Sequence, residues 1–382
     1  MQHVIEVNAS STRQHQPANS TRLAENNFDI ARLCLASFVF LGHYSWIFPD
    51  GPLPSGLIRF LIGDDSNRCV EAFFVISGFL MFQSFDRSDN VMSYSEKRIR
   101  RIVPAYVTVI LLSALFGFWL SNLDLRQYLS LDLAKYVFWN LLFLNFMHPT
   151  LPGVFDNLPI HQVNGPLWTL KIEVTFYILL PFLVRFGRRI GFIRLFFGLY
   201  VLSILYHSYF IALENRTGSH MYGVLASQLP GQLCYFVSGA LIAAWWRGRI
   251  GLGDVKGSLW MVLGGAVLVS LGLFYSGVSF IYPAFLAALV LSFCLVGPKL
   301  GRWMVFGDWS YGVYVIHFPV LQALRSLGTL ESHPVLLFLL ASAIIFGLSA
   351  LMWNFVESPA LKGRWVKERA VPTIPQAATV DL

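Results

Sequence analysis

Charged residues are scarce in this sequence. Asp, Glu, Lys and Arg make up 13% of its 382 residues, whereas 55% are hydrophobic and the mean hydropathy is +0.59. Soluble domains carry about 25% charged residues, so the composition excludes a soluble domain and indicates an integral membrane protein. The aromatic share of 15%, with 11 Trp and 33 Phe, is typical of surfaces that face lipid and its interfaces.

Cysteine motifs and a leader segment are lacking as well. Cys34, Cys69, Cys234 and Cys294 lie in or at the ends of apolar segments, with no CxxC or metal-type spacing, so the sequence indicates neither a disulfide framework nor a zinc site. Residues 1–27 are polar and lack an apolar stretch preceded by basic residues, which a cleavable signal peptide requires. We expect a flexible polar cytoplasmic tail there.

Apolar runs long enough to cross a bilayer, about 17 to 25 residues, occur ten times. Threaded alternately from a cytoplasmic N-terminus, they place 20 of the 28 Lys and Arg residues on the cytoplasmic side and six on the other. This bias is a topology signal of membrane proteins, and it explains most of the net charge of +7 without a nucleic-acid partner. The runs lie near residues 28–48, 69–86, 103–120, 166–184, 192–210, 225–246, 257–275, 279–297, 303–325 and 335–356.

A further apolar run, 134–147, is short, and counting it as a span would move the basic loop 185–194 to the outside. We interpret it as a re-entrant or interfacial helix within an outer segment, 121–165. The predicted fold is an all-α polytopic membrane protein with about ten transmembrane helices plus this helix, both termini being cytoplasmic. The predicted domains are the tail 1–27, a ten-helix membrane domain 28–356 and a cytoplasmic C-terminal tail 357–382.

Arg32 and His43 lie in the first run, although a charge at mid-bilayer is costly unless it is paired or hydrated. Eleven residues advance about 1100° along a helix, roughly 20° beyond three turns, and rise about 16 Å. The two side chains therefore share one helix face at different depths, which suits a cleft lined from the cytoplasmic rim inward. An ion pair between Arg32 and Asp29, and a simple hydrogen bond from His43 to a neighbouring helix, are the alternatives.

Arg98 and Arg101 lie three residues apart just before the third run, and Pro104 is expected in the first turn of that helix. Arginine forks match phosphate oxygens, so the pair fits the cytosolic docking point of a polyphosphate-bearing donor. Anchoring of the protein by positive residues on the cytoplasmic side explains the pair too.

Other polar side chains lie within the later runs. Lys171 and Glu173 are two residues apart and do not face each other, so we expect separate partners. Glu173 then orients an imidazole, binds a sugar hydroxyl or makes a structural bond between helices. Ser310, Tyr314 and His317 follow an i, i+4, i+7 pattern and form one polar stripe, which packing explains about as well.

Together these features resemble the acyltransferase-3 family of bacterial membrane acyltransferases, which O-acylate, commonly O-acetylate, cell-surface carbohydrates. Any one motif is loose, and their order and spacing are specific. The similarity covers residues 28–356. The matching features are Arg32 and His43 with ten residues between them, FFVISGF at 73–79 after Glu71, Arg98 and Arg101, LWTLKIEVTFYILLP at 167–181, and SYGVYVIHFPV at 310–320.

The resemblance implies a multi-pass protein of the cell inner (plasma) membrane that uses acetyl-CoA, or another acyl-CoA, as its donor and no metal. The implied acceptor is a hydroxyl of an extracytoplasmic or lipid-linked carbohydrate or glycolipid. By position, His43 corresponds to the base at the acceptor hydroxyl, Arg32, Arg98 and Arg101 to the arginines that bind acyl-CoA, and Glu173 to an intramembrane acidic residue with a catalytic role. The further substrate-binding candidates are Glu71, Ser77, Trp168, Tyr311, Tyr314 and His317.

Two positions depart from the pattern of the family. Thr169 stands where many members carry serine, which keeps a hydroxyl group at this position. Lys171 stands where many members carry an uncharged residue, which changes the local charge.

A secondary transporter or exporter of a sugar or lipid-linked intermediate is the competing class, since such proteins also bury His, Glu and Arg near mid-membrane. The usual sequence sign of such transporters is a pair of spans that Gly or Pro interrupts at matching positions of the two halves. No such pair is visible in this sequence. Consumption of acetyl-CoA separates an acyltransferase from a transporter. A structural membrane subunit, the third class, poorly explains the ordered set of buried ionisable groups.

Overall fold

The computed structural model describes residues 26–53, 66–247, 280–296, 300, 307–328, 330 and 332–362. Within these residues the fold is helical, apart from one isolated antiparallel bridge between Ser121 and Val154. The predicted all-α class is therefore confirmed for the part of the chain that the structure describes.

Where the structure describes the whole connection between two helices, most are short turns, and a longer segment joins the fifth helix to the sixth. In chain order they are α1 (Phe28–Ile47), α2 (Asn67–Asp86), α3 (Val91–Phe116), α4 (Leu125–Tyr128), α5 (Leu131–Leu141), α6 (Trp168–Ile190), α7 (Phe192–Thr217), α8 (His220–Ala226), α9 (Leu229–Arg247), α10 (Tyr282–Val296), α11 (Ser310–Ser326), α12 (Pro334–Met352) and α13 (Ser358–Leu361). The described residues also form short 3₁₀ turns at Gly117–Leu120, Asn145–Met147 and Gly165–Leu167, and a π-helix at Trp353–Glu357.

Six helical stretches among the described residues are long and apolar enough to cross a membrane: Phe28–Ile47, Asn67–Asp86, Val91–Leu120, Gly165–Ile190, Phe192–Thr217 and Pro334–Leu361. Three other predicted runs correspond to α9, α10 and α11, which have 19, 15 and 17 residues. The run 257–275 lies outside the described residues. Ten spans and cytoplasmic termini therefore stay predictions.

Residues just outside the predicted membrane domain, 28–356, are also packed against its helices. Residues 1–25 and 363–382 of the two predicted tails lie outside the described residues. Asn27 is buried and donates from its side chain to the carbonyl of Phe293, at 2.9 Å. Glu357 is also buried, and the helical stretch continues past it to Leu361.

The short apolar run at 134–147 forms α5 and the 3₁₀ turn that follows it. With 11 residues, α5 is about 16 Å long, half of the roughly 30 Å hydrocarbon core, and is too short to cross it. The hydroxyl of Tyr106 on α3 donates to the carbonyl of Asn140, at 2.8 Å, and the Asn140 amide donates to the carbonyl of His148, at 2.9 Å. These bonds fasten the segment to α3.

The start of α3 differs from the prediction. The helix begins at Val91 rather than near residue 103, because the side chain of Asn90 caps it by accepting from the backbone N–H of Ser93, at 2.8 Å. Pro104 therefore lies inside the helix and not in its first turn. Hydropathy alone misses the early start because the first turns carry most of the basic residues.

Two clusters of buried apolar side chains form the core. The first contains the second half of α1 with α3, α11 and α12, and the second contains the start of α1 with α2, α6, α7, α9 and α10. Helix α1 belongs to both, through Phe40 and Tyr44 in the first and Phe28 and Ala31 in the second.

Helices α2 and α9 approach closely at two glycines. A Cβ atom on Gly78 would lie 2.0 Å from the carbonyl oxygen of Phe236, and one on Gly239 would lie 2.1 Å from that of Val75. Small residues at such positions allow two helix backbones to pack against each other. The close contact between α2 and α9 therefore explains why the FFVISGF motif has glycine at position 78, directly after Ser77.

We expect Gly78→Ala to lower the free energy of unfolding by about 1–3 kcal/mol, because the added methyl group overpacks the α2–α9 contact. The Tm of the purified protein in detergent measures this effect. Gly198→Ala is the matched control, since a Cβ atom there meets nothing within 4 Å. A Gly78→Ala variant as stable as the wild type would contradict the close contact.

Candidate active site

A cavity of about 590 Å³ lies between α1, α2, α3, α6 and α11. This volume is typical of sites for small molecules and cofactors. The basic side chains of Lys97, Arg98 and Arg100 surround its mouth, and Thr169 lies at its inner end. The predicted site residues that line it are Arg32, Ser77, Arg98, Arg101, Glu173, Tyr311 and Tyr314.

Asp308, just before α11, holds two of the lining arginines. Its Oδ2 accepts a hydrogen bond from Arg101 and lies 3.0 Å from Nη2 of Arg32. Its Oδ1 accepts from the hydroxyl of Ser310, at 2.5 Å, and from the backbone N–H of the same residue, at 3.2 Å. Arg32 also pairs with Asp29, the i, i+3 ion pair that the sequence offered as an alternative. The positive charges of Arg32 and Arg101 are therefore compensated within the protein.

Sequence reasoning missed Asp308, although it lies within the apolar run 303–325. Its side chain is 6% exposed. An acidic residue just before the first turn of a helix is a common N-terminal signal, because its carboxylate accepts from the first free N–H groups. That signal was present in the sequence two residues before Ser310.

Of the three cationic side chains at the cavity mouth, Arg100 pairs with Glu96, whereas Lys97 and Arg98 have no such compensation among the described residues. Neither Lys97 nor Arg98 forms a salt bridge within the described residues. Arg98 donates to the hydroxyl of Ser84 and Lys97 to the hydroxyl of Ser88, each at 3.2 Å. The guanidinium of Arg98 also lies 5.8 Å from the ring centre of Tyr177. Their positive charge is available to an anionic ligand.

Glu173 lies in the cavity wall between the mouth and the inner end. Its Oε1 accepts from the hydroxyl of Tyr177, at 2.7 Å, and from that of Ser77 on α2, at 3.3 Å. Lys171 donates to the side chain of Gln228, at 2.8 Å. Lys171 and Glu173 thus have separate partners, as their spacing predicts, and Glu173 forms a bond between helices rather than orienting an imidazole.

A hydrogen-bonded pair closes the inner end of the cavity. The hydroxyl groups of Thr169 and Tyr314 lie 2.6 Å apart, and the carbonyl oxygen of Pro166 lies 2.9 Å from the first and 3.3 Å from the second. Each hydroxyl has one hydrogen, so Thr169, with the shorter contact, donates to Pro166 and Tyr314 donates to Thr169. The ring of Phe73 packs edge-on against Tyr314, with 5.7 Å between ring centres. The hydroxyl that Thr169 retains at this position is therefore part of the closure.

His43 lies beyond the closed end and contacts His317. Nε2 of His317 is 3.1 Å from Nδ1 of His43, and the ring centres are 5.1 Å apart. His317 is completely buried, and His43 is partly accessible. Arg32 and His43 both reach α11 or the residues just before it, so they share one side of α1, as the 11-residue spacing predicts. Neither histidine lines the cavity.

The surrounding acceptors assign the protons of the two neutral imidazoles. Nδ1 of His317 is 3.0 Å from the carbonyl of Val313, and Nδ1 of His43 is 3.1 Å from the carbonyl of Val39. A carbonyl oxygen only accepts, so both Nδ1 atoms carry hydrogen. The Nδ1 hydrogen of His43 is then shared between the carbonyl of Val39 and Nε2 of His317, and Nε2 of His43 is the unprotonated nitrogen.

Two other predicted site residues lie away from the cavity. Glu71 accepts from the hydroxyls of Tyr235 on α9 and Tyr282 on α10, both at 2.9 Å. Trp168 is half-buried and packs against the second core cluster. Neither lines the cavity. Within the described residues, no group of three or more His, Cys, Asp and Glu side chains is arranged to hold a metal ion.

A helical membrane body with arginines around one internal cavity and a buried pair of imidazoles beside it defines a membrane protein with an intramembrane polar site. The chain belongs to the acyltransferase-3 family, whose model, described as an acyltransferase domain, matches residues 25–354. It is thus a multi-pass membrane protein of an acyltransferase family.

Several characterised proteins are similar over most of their length. The chain is 30% identical over 362 residues to nodulation protein 10 of Rhizobium leguminosarum bv. viciae. The aligned region covers 89% of this chain and 94% of that protein. It is 29% identical over 342 residues to an O-acetyl transferase of Shigella phage Sf6, with 87% and 95% covered. It is 25% identical over 360 residues to the acyltransferase MdmB of Streptomyces mycarofaciens, with 81% and 84% covered. No solved structure matches the chain.

We expect Asp308→Asn to lower the free energy of unfolding by about 3–5 kcal/mol, because it leaves the guanidinium groups of Arg32 and Arg101 close together without their shared carboxylate. Thermal denaturation in detergent measures the loss. Asp132→Asn is the control, since it breaks an exposed ion pair with Lys135, of 2.9 Å, that contributes little. An Asp308→Asn variant with the wild-type Tm would contradict the assigned role.

Proposed function

We propose that this protein moves an acyl group, most simply acetyl, from cytosolic acetyl-CoA to a hydroxyl of an extracytoplasmic or lipid-linked carbohydrate, and that it does so in the inner (plasma) membrane. The observation that carries the proposal is the order of groups from the start of α3 through the cavity to the imidazoles on α1 and α11. Uncompensated cations at the mouth are followed by a cavity of about 590 Å³ and then by two imidazoles beyond its inner end. The relative from Shigella phage Sf6 is an O-acetyl transferase, which supports acetyl as the group transferred.

The donor phosphates bind at the mouth in this proposal. Lys97 and Arg98 offer positive charge without a carboxylate partner, whereas Arg32 and Arg101 already share Asp308. The phosphate contacts predicted for the Arg98 and Arg101 pair therefore fall chiefly on Arg98, together with Lys97. The pantetheine arm then runs inward along the cavity wall.

The middle of the cavity suits the amide groups of that arm. Glu173 and Ser77 face each other across the wall between α6 and α2. A carboxylate accepts hydrogen bonds from amide N–H groups, so Glu173 orients the arm and directs the thioester toward Thr169 and Tyr314. Glu173 in this view is a positioning residue rather than the base.

His43 is the base in the proposed reaction. Its unprotonated Nε2 takes the proton of the acceptor hydroxyl while the hydroxyl oxygen attacks the thioester carbonyl. The C–S bond then breaks, the ester forms, and the proton passes to the departing thiolate of coenzyme A. A positioned base of this kind contributes about 10²–10⁴-fold to the rate.

His317 positions the base. By accepting from Nδ1–H of His43, at 3.1 Å, it keeps the unprotonated nitrogen of His43 at Nε2. Its own tautomer is fixed by the carbonyl of Val313. A base held in one tautomer by a second group is a recurrent arrangement in catalysis by histidine.

Donor and base meet only if the inner closure opens. Thr169 and Tyr314 are hydrogen-bonded to each other in the cavity wall, and the ring centre of Tyr314 lies 6.1 Å from that of His317, so in this proposal the pair stands between the cavity and the imidazoles. We infer that a bound thioester competes for these two hydroxyls, so that donor binding itself opens the way to His43. The acceptor approaches from the partly accessible side of His43, where Trp46 is exposed.

We expect His43→Ala to abolish O-acetylation of the native glycan while the protein stays folded and inserted. Mass spectra of cell-envelope glycans from cells with wild-type protein, with His43→Ala and without the gene provide the comparison. The acetyl mass shift should appear only with the wild type. Acetylation by His43→Ala at the wild-type level would remove His43 from the mechanism, and consumption of acetyl-CoA by the purified protein separates an enzyme from a transporter.

The role of His317 is tested by kinetics on the purified protein. His317→Phe should lower kcat, approaching the 10²–10⁴-fold contribution of a positioned base, with the KM for acetyl-CoA unchanged. His317→Gln should retain more activity, since its side-chain oxygen accepts from Nδ1–H of His43. Equal losses in the two variants would indicate a role in packing only.

For the mouth, we expect Arg98→Gln or Lys97→Gln to raise the KM for acetyl-CoA by about 10- to 100-fold, the loss of one hydrogen bond to a charged group. The activation free energy of the chemical step is unchanged in these variants, so kcat should change little. Lys135→Gln, which removes an exposed lysine outside the cavity, is the control. An unchanged KM in both mouth variants would mean that these side chains anchor the protein at the membrane and do not bind the donor.

A further inference from the structure

A second cavity, of about 600 Å³, lies between α3 and α6. Its walls are mainly apolar, with Ile102 and Val103 from α3 and Val174 and Ile178 from α6. Ile178 is 63% exposed and Ile99, which also lines the cavity, is 56% exposed. Because both helices are candidate membrane spans, the cavity is a groove that opens onto the lipid.

The rim of this groove is positively charged. Arg98 and Arg185 both line it, at the end where α3 begins and α6 approaches its last turns. The Nε atom of Arg98 is buried and has no hydrogen-bond partner. Neither arginine forms a salt bridge within the described residues. An apolar groove with two arginines at one end is complementary to a molecule with an anionic head and an apolar tail.

The length of the groove matches one leaflet. From Val174 to Arg185, α6 rises about 16 Å, which is half of the roughly 30 Å hydrocarbon core. Phe143, from the segment after α5, lines the far end, where its ring stacks on Tyr106 with 4.1 Å between ring centres. With Arg185 at the membrane surface, a groove of this length reaches about to the midplane of the hydrocarbon core.

We propose that this groove binds an anionic membrane phospholipid, with the headgroup phosphate between Arg98 and Arg185 and one acyl chain along Val174 and Ile178 as far as Phe143. A soluble phosphate compound would leave the apolar walls uncovered, and a neutral lipid would leave both arginines without a counter-charge. The lipid is a separate ligand from the substrates of the proposed reaction, so this inference does not depend on that reaction.

Lipid in this groove contacts the donor cavity through shared side chains. Arg98 and Tyr177 line both cavities and form the partition between them. The hydroxyl of Tyr177 donates to Glu173 inside the first cavity, at 2.7 Å. An occupied groove therefore holds Arg98 and Tyr177 in place beside the donor cavity.

Native mass spectrometry of the purified full-length protein tests the proposal. The protein is mixed with equal amounts of phosphatidylglycerol and phosphatidylcholine, and the retained lipid is counted. We expect phosphatidylglycerol to be retained about tenfold better, because both lipids offer a phosphate but the choline cation of phosphatidylcholine cancels its charge, and attraction of an anionic lipid contributes about 1 kcal/mol per arginine. Equal retention of the two lipids would overturn the proposal, and so would displacement of phosphatidylglycerol by coenzyme A, which would assign the groove to the donor.

Variants outside the donor cavity sharpen the test. Arg185→Gln should lose most of the preference for phosphatidylglycerol, and Ile178→Trp, which fills the groove from its exposed side, should lose adducts of both lipids. Arg194→Gln removes an exposed arginine that does not line the groove and should bind lipid as the wild type does. Wild-type retention by Ile178→Trp or Arg185→Gln would overturn the proposal; both positions are exposed, so both variants should fold.

Discussion

Two polar contacts join α1 to the segment that forms α11, and the rest of the site depends on them. At one end Arg32 meets the carboxylate of Asp308, and at the other His43 meets His317. A buried ion pair and a buried imidazole pair have high costs if either partner is displaced, so together they fix how the two helices lie side by side. That register sets the distance between the cavity mouth and the proposed base.

The distribution of charge divides the arginines into two groups with different tasks. Arg32 and Arg101 share an internal carboxylate and form part of the structural frame. Lys97 and Arg98 lack such a partner among the described residues and are the cations that an incoming anion meets first. Arg98 also lines the lipid-facing groove, so one guanidinium lies beside both proposed anionic ligands, the donor and the phospholipid.

Helical periodicity predicted those features of the site that lie on one element. The shared face of Arg32 and His43, and the separate partners of Lys171 and Glu173, follow from 100° per residue. The same arithmetic explains why Glu71 lies apart from Ser77, since six residues turn the helix by about 240°. Contacts between distant elements were not predictable from one sequence. His43 and His317 are 274 residues apart. The position of Asp308 indicates the start of a helix, but nothing in the sequence indicates its contacts with Arg32 and Arg101. The early start of α3 was missed because its first turns are basic rather than apolar.

The central claim is that His317 holds His43 with its hydrogen on Nδ1 and its lone pair on Nε2. Nitrogen NMR of protein labelled with ¹⁵N-histidine reports the tautomer of each imidazole directly, and the His43 signal is identified by its loss in His43→Ala. The account predicts the Nδ1–H form for His43 in the wild type and a larger share of the Nε2–H form in His317→Phe, where the carbonyl of Val39 is the one acceptor left for the Nδ1 hydrogen among the described residues. A wild-type His43 found with its hydrogen on Nε2 would contradict it.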